Sequence, residues 1–77
     1  MAEQPNELKN ELKSVAAVAT NLELPSKLRI DALEALGRIG THEALLTLLE
    51  IAGNDRLIRQ EREIALKQAS GIIKSGH

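Results

Sequence analysis

Residues Lys27 to Leu49, KLRIDALEALGRIGTHEALLTLL, are the most informative segment of the chain, because their pattern encodes two helices joined by a tight turn. Apolar residues recur in its first half at the spacing of an amphipathic helix: Ala32, Leu36 and Ile39. Gly37 and Gly40 allow the chain to turn at the end of that helix, and Thr41 supplies a hydroxyl that caps the next one. The stretch therefore predicts an antiparallel helical pair.

Over the whole chain, the apolar pattern predicts four helices, at about 6–22, 27–38, 42–52 and 56–74. The first has a single narrow apolar stripe, so we expect it to cap one side of the domain. Pro25 ends that segment, and Ser26 is the expected N-cap of the second helix. We interpret the chain as one domain made of three parts: a capping helix (6–22), a full helical pair (26–53) and a partial second unit (55–75).

A partial internal repeat relates the second and fourth helices at an offset of 33 positions. The matching residues are Ala32, Leu33, Leu36 and Ile39, which correspond to Ala65, Leu66, Ala69 and Ile72. Arg29 corresponds to Arg62 at the same offset, whereas Gly37 is replaced by Ser70. The second unit therefore lacks the turn and is expected to end as a helix.

The amino-acid composition argues against several classes of function. The 77 residues include no Phe, Tyr, Trp or Cys, which excludes disulfides and thiolate metal sites and leaves an aliphatic core. Ten Lys or Arg are balanced by eleven Asp or Glu, and the net charge of −1 gives no general attraction for nucleic acid or an anionic membrane. The polar N-terminus does not resemble a signal peptide, and no apolar run approaches the ~20 residues of a membrane span. A cytoplasmic location is expected.

Taken together, one run of short motifs resembles a HEAT-like repeat of the short phycobilisome-lyase type, also called EZ-HEAT. The run consists of Leu28-Arg29, Ala32-Leu33, Ala35-Leu36-Gly37, Ile39-Gly40, Ala44-Leu45 and Leu48-Leu49. The resemblance implies an all-α, armadillo-like superhelical stack of about four helices. Repeats of this type occur in scaffolds, adaptors, bilin lyases and nucleic-acid enzymes alike. Since the chain has no catalytic motif, we expect a non-enzymatic scaffold or adaptor that binds other proteins. The chain departs from the family at Leu46, where a proline is common.

The resemblance also nominates residues. In this family the second helix of each pair lines the concave, ligand-facing surface, which points to Glu43, Leu46, Thr47 and Glu50 as partner contacts. By the same resemblance, Arg29 and Arg62 support packing between neighbouring helices, bonding to carbonyl groups or to carboxylates such as Asp31 or Asp55.

Further candidates come from the fourth helix. Leu57 and Ile64 are seven positions apart and predict a second exposed apolar pair, so Ile64 joins the partner-binding candidates. The charged run from Arg56 to Lys67 predicts a solvated, salt-bridged helix face. A strip of Arg56, Arg59 and Arg62 is the functional alternative, as a partner contact or, with Lys67, as a phosphate contact in a nucleic-acid-binding module.

The residue pattern gives no support for catalytic activity. His42 stands alone within the fold, and Asp31 and Glu34 are more typical of a charged surface than of an acid–base pair. No phosphate-binding loop, nucleophile elbow or metalloprotease motif is present, so we predict no enzyme activity, cofactor or metal. The repeat subtype adds one more alternative, an accessory subunit of a bilin lyase or phycobilisome-linked system. Homodimerisation through an end helix, and a closed four-helix bundle instead of an open stack, also remain as alternatives.

Overall fold

The computed structural model describes residues 3–76, with side chains from residue 10 onward. Within that range the chain forms four α-helices and no β-strand. The helices are α1 (Glu3–Ala19), α2 (Ser26–Ile39), α3 (His42–Ala52) and α4 (Arg59–Lys74). The prediction of a small all-α fold with four helices is confirmed.

The predicted boundaries are correct for α3 and differ elsewhere. α4 begins at Arg59, because the preceding residues form a turn in which Asn54 Oδ1 accepts a hydrogen bond from the Arg56 amide at 3.0 Å. The Leu57 amide closes the same turn by donating to the Asn54 carbonyl at 3.1 Å. A short polar side chain thus competes with the helix for the backbone amides, which delays its start.

The turn between α2 and α3 explains two of the sequence signals. Gly40 ends α2 with a left-handed φ of 67°, and its amide donates to the Leu36 carbonyl. Thr41 Oγ1 accepts from the Ala44 amide at 3.1 Å, which confirms Thr41 as the N-cap of α3. Gly37, in contrast, lies inside α2, where an added Cβ would overlap the side-chain amide of Gln68. Its role is therefore close helix packing, and the prediction that it forms the turn is wrong.

The helices pack in a chain of neighbours. α1 packs on α2, α2 packs on both α3 and α4, and α3 packs on α4. Within residues 3–76, α1 makes no extensive contact with α4. This arrangement favours an open, layered stack over a closed four-helix bundle, in which the first and last helices would be neighbours.

A continuous aliphatic core joins the four helices. Leu33, Leu36 and Leu48 are completely buried at its centre, and small residues such as Ala44 and Ala65 let the helices approach closely. Several large apolar side chains lie at the surface and are exposed by 42% or more: Leu28, Leu49, Ile58 and Ile73. Leu57, expected on the surface, is buried at 2% exposure, because the turn before α4 directs it inward. The prediction of an exposed Leu57–Ile64 pair is therefore wrong.

Candidate functional site

A groove of about 410 Å³ lies between α1 and α3. Its lining residues are Leu12 and Lys13 from α1 and Glu43, Leu46, Thr47 and Glu50 from α3. The four residues nominated from α3 therefore lie together on one surface. α1 supplies the opposite wall, which sequence reasoning did not assign to the site.

Helical geometry explains the layout of this groove. Glu43 and Glu50 are two turns apart on α3, with Leu46 and Thr47 between them, so all four lie along one stripe of the helix. Leu46 is 50% exposed, although it lies only one residue from buried Leu45. Across the groove, Lys13 adds a positive charge. The groove therefore has an apolar centre with charged residues of both signs around it.

The arginine strip lies apart from the groove, on the turn before α4 and the first turns of that helix. Arg59 pairs with Glu63 at 3.5 Å, as expected for oppositely charged residues four positions apart. Arg62 is half-buried, and its Nε donates to the Leu57 carbonyl at 3.2 Å. Arg56 and Lys67 are exposed. Two residues of the strip, Arg59 and Arg62, are thus engaged within the protein, and the Arg59–Glu63 pair is one salt bridge of the predicted kind.

Ile64 is half-buried and packs against the aliphatic core. It lines neither the α1–α3 groove nor the open face of the arginine strip. Its place as a partner contact rests on the predicted exposed pair with Leu57, which the buried position of Leu57 removes.

A buried ion pair, which we call the α2–α4 clamp, joins Arg29 of α2 to Glu61 of α4. The Arg29 Nε and Nη2 atoms contact the two Glu61 carboxylate oxygens at 3.1 and 2.7 Å. The Ser26 hydroxyl also donates to this carboxylate, so Ser26 serves the clamp and makes no helix-capping hydrogen bond. Glu61 is 0% exposed and Arg29 is 8% exposed. The predicted structural role of Arg29 is correct, but its carboxylate partner is Glu61 and not Asp31 or Asp55.

The clamp also fixes the ionisation of Glu61. The hydrogen bond from Arg29 holds the pKa of the Glu61 carboxyl below its ordinary value, with the Ser26 hydroxyl acting in the same direction. Burial opposes these effects, since it disfavours the charged form. The net direction is downward because the carboxylate accepts two bonds from one guanidinium.

The third guanidinium nitrogen of Arg29, Nη1, bonds to the loop before α2. Nη1 donates to the Leu24 carbonyl and lies 3.4 and 3.5 Å from the carbonyls of Asn21 and Leu22. Arg29 therefore donates hydrogen bonds to backbone carbonyls of the loop and also neutralises the buried Glu61 carboxylate. Among the side chains that the structure describes, no buried nitrogen or oxygen lacks a hydrogen-bond partner.

The bonding pattern of α2 recurs in α4 at the offset of the sequence repeat. Arg29 Nη1 donates to the Leu24 carbonyl, and Arg62 Nε donates to the Leu57 carbonyl; each carbonyl lies five positions before its arginine, although the donor atoms differ. Asn21 Oδ1 accepts from the Glu23 amide at 2.9 Å, as Asn54 does from the Arg56 amide. The loop and the first turn of the helix are therefore built alike in the two units.

Sequence reasoning did not identify Glu61 as buried, although the signal was present. Glu61 precedes Ala65 by one helical turn and continues the stripe of Ala65, Ala69 and Ile72 toward the start of α4. A carboxylate on an apolar stripe requires a buried cation, and Arg29 was already expected to bond a neighbouring helix. Combining these two observations would have predicted the clamp.

Over the described residues, no cluster of three or more His, Cys, Asp or Glu is arranged to hold a metal ion. None of the helices of residues 3–76 combines the length and the apolar character needed to cross a membrane.

Comparison with known proteins adds no identification, because no protein-family model, curated protein or solved structure matches this chain.

Proposed function

We propose that this chain is a HEAT-like repeat module that binds a protein partner in the groove between α1 and α3. One observation carries the proposal: the four residues that the repeat resemblance nominates as contacts, Glu43, Leu46, Thr47 and Glu50, line a single groove. In a HEAT-like stack, the helices at the positions of α1 and α3 belong to the ligand-facing layer. The proposal treats the chain as a binding module without catalytic activity of its own.

Two further observations support the repeat assignment. The neighbour relations of the helices, in which α1 does not pack extensively on α4 over the described residues, suit a short open stack. The recurrence of the arginine–carbonyl bond and the asparagine turn at a spacing of 33 positions suits two successive units of one repeat. Stacked repeats bury their cores against each other and leave long surfaces for binding.

The chemistry of the groove defines the partner that fits it best. The exposed Leu46 side chain offers an apolar contact, and Glu43 and Glu50 flank it on the same face of α3. A partner segment with an apolar side chain between basic residues would satisfy both features. Because exposed charges contribute mainly to association rate and selectivity, Leu46 should carry more of the affinity than either glutamate.

The experiment is affinity capture from native lysate with quantitative mass spectrometry, comparing wild type, Leu46→Glu and Leu66→Glu. Leu46 and Leu66 are 50% and 52% exposed and lie on different helices, so the two variants are matched in chemistry and in expected stability. The proposal expects a captured protein that Leu46→Glu loses and Leu66→Glu retains. It is overturned if the proteins captured by wild type are all retained by Leu46→Glu.

Two further assays test the alternative functions that the sequence left open. A nucleic-acid-binding module would bind labelled DNA or RNA with an affinity that falls steeply with salt and depends on Arg56 and Lys67. An accessory bilin-lyase subunit would promote pigment transfer to an apo-phycobiliprotein. If either assay is positive, and if Leu46→Glu captures the same proteins as wild type, that alternative would replace the proposed protein-binding function.

A further inference from the structure

The second repeat unit ends in an open surface that the first unit does not have. In the first unit, Arg29 and Leu33 are buried where α4 packs on α2. Their equivalents 33 positions later, Arg62 and Leu66, line a groove of about 200 Å³, and Leu66 is 52% exposed. We call this surface the distal groove; its lining residues are Ala52, Arg59, Arg62, Glu63 and Leu66.

We propose that the distal groove is a docking site for a helix of a partner protein that presents a glutamate to Arg62. The first unit provides the template, since there the equivalent arginine receives Glu61 of a packed helix through two contacts. Arg62 bonds the equivalent carbonyl, that of Leu57, but through Nε, whereas Arg29 bonds the Leu24 carbonyl through Nη1. A carboxylate would therefore meet the Nη atoms of Arg62 and not its Nε. Among the described side chains, no carboxylate bonds to the Arg62 guanidinium. The site therefore offers a held arginine beside an exposed leucine, which suits an amphipathic helix with one carboxylate.

A second copy of this chain, stacked end to end in the same register, does not supply that carboxylate. Such a copy would place its α2 against α4, and the residue equivalent to Glu61 in α2 is Leu28. Leu28 leaves the guanidinium without an anionic partner in a partly dehydrated contact, which is unfavourable. A different protein is therefore the better occupant.

The structure also defines a second feature of the partner helix. In the first unit, Gln68 of α4 lies against Gly37, where an added Cβ would overlap the Gln68 side-chain amide and lie 3.3 Å from the Gln68 Cβ. The equivalent of Gly37 in α4 is Ser70, which carries a Cβ and a hydroxyl. The Ser70 side chain therefore favours a partner helix with a small residue, glycine or alanine, seven positions after its glutamate, where α4 itself has glutamine.

The probe is a synthetic peptide with the sequence of residues 58–74, altered by Gln68→Ala to meet the small-residue requirement. Arg59→Lys joined to Glu63 by a side-chain lactam keeps the peptide helical, because both positions face solvent in α4. Binding of the labelled peptide to the full chain is measured by fluorescence polarisation. The comparison peptides are the same sequence with Glu61→Gln, and the same sequence with the native Gln68.

The proposal expects saturable binding that weakens by at least about tenfold with the Glu61→Gln peptide, since a buried charge pair is lost. The peptide that retains Gln68 should also bind more weakly. On the protein, Leu66→Glu should abolish binding, and Leu46→Glu, which alters only the α1–α3 groove, should leave it unchanged. Binding that is absent, that survives Leu66→Glu, or that is equal for the Glu61→Gln peptide would overturn the proposal. Sedimentation of the unliganded chain as a concentration-dependent oligomer that Leu66→Glu dissociates would also overturn it, in favour of self-association.

Discussion

Arg29 and Glu61 lie 32 positions apart in the sequence and meet through two contacts of 3.1 and 2.7 Å in the buried interface of α2 and α4. One guanidinium thereby fixes the register of two helices and also holds the loop before α2. A buried ion pair need not stabilise a fold more than an apolar pair would, but removal of one partner leaves the other charge buried and unpaired. The clamp is therefore the place where a single substitution should have its largest effect.

We predict that Arg29→Met lowers the free energy of unfolding by about 3–5 kcal/mol, because Glu61 remains buried without a cation. The measurement is urea unfolding followed by circular dichroism, since the chain has no Trp or Tyr to report by fluorescence. Lys27→Met is the matched control, because it removes an exposed pair with Asp31 at 3.6 Å. The control should cost no more than about 1 kcal/mol. Similar losses in the two variants would contradict a structural role for the clamp.

The clamp also predicts how stability depends on pH. Since the Glu61 pKa is lowered in the folded protein, chiefly by Arg29, the folded state favours ionised Glu61. This contribution is complete above the pKa of an unfolded-chain glutamate, about 4.3, and is lost as the pH falls through the lower folded value. Wild type should therefore lose stability more steeply than Glu61→Gln between about pH 6 and pH 3.

The pH prediction is checked by denaturant unfolding of both proteins across that range. Glu50→Gln, which alters an exposed carboxylate, is the control and should follow the wild-type curve. Parallel curves for wild type and Glu61→Gln would show that Glu61 does not carry the acid sensitivity.

Two helical glycines give opposite predictions. Gly37→Ala should destabilise the protein by about 1–3 kcal/mol, because the Gln68 side-chain amide must leave its position and the Gln68 Cβ would lie only 3.3 Å from the new Cβ. Gly71→Ala should stabilise it by about 0.5–1 kcal/mol, because alanine favours the helix and nothing lies within 4 Å of the added Cβ. Thermal unfolding of the two variants checks the pair. Equal melting temperatures would contradict the close approach of α2 and α4.

The turn glycine gives a further test. Gly40 has a φ of 67°, so Gly40→Ala should cost about 1–2 kcal/mol of backbone strain. Gly53, which ends α3 with a φ of −93°, imposes no such requirement, and Gly53→Ala should be close to neutral. Chemical unfolding of both variants measures the difference. A neutral Gly40→Ala would contradict the left-handed turn.

Much of the fold could be predicted from the sequence because local signals and packing agree in its centre. Thr41 caps α3 and Gly40 ends α2 as their residue types predict, and the apolar spacing places Leu33, Leu36 and Leu48 in the core. Prediction failed where a tertiary contact overrode a local preference. Ser26 is a good N-cap by type, yet its hydroxyl bonds a carboxylate 35 positions away.

The candidate site was predictable in one half only. Helical periodicity places Glu43, Leu46, Thr47 and Glu50 on one stripe of α3, but the opposite wall from α1 depends on how the helices pack. Leu57 was misplaced for the same reason, since the turn built on Asn54 sets its direction. The equivalence of the two arginine–carbonyl bonds needed coordinates, although the spacing of Arg29 and Arg62 already indicated a repeat.

The most direct test of the account is a solution NMR measurement of which helices are neighbours. We predict nuclear Overhauser contacts between the Gly37 Hα protons and the Gln68 side chain, together with contacts from the Ser26 side chain to Glu61, and no extensive set between α1 and α4. A spectrum that lacks the α2–α4 contacts and instead shows a series of contacts between α1 and α4 would establish a closed bundle. That result would contradict the stacked-unit architecture from which the groove and both proposals follow.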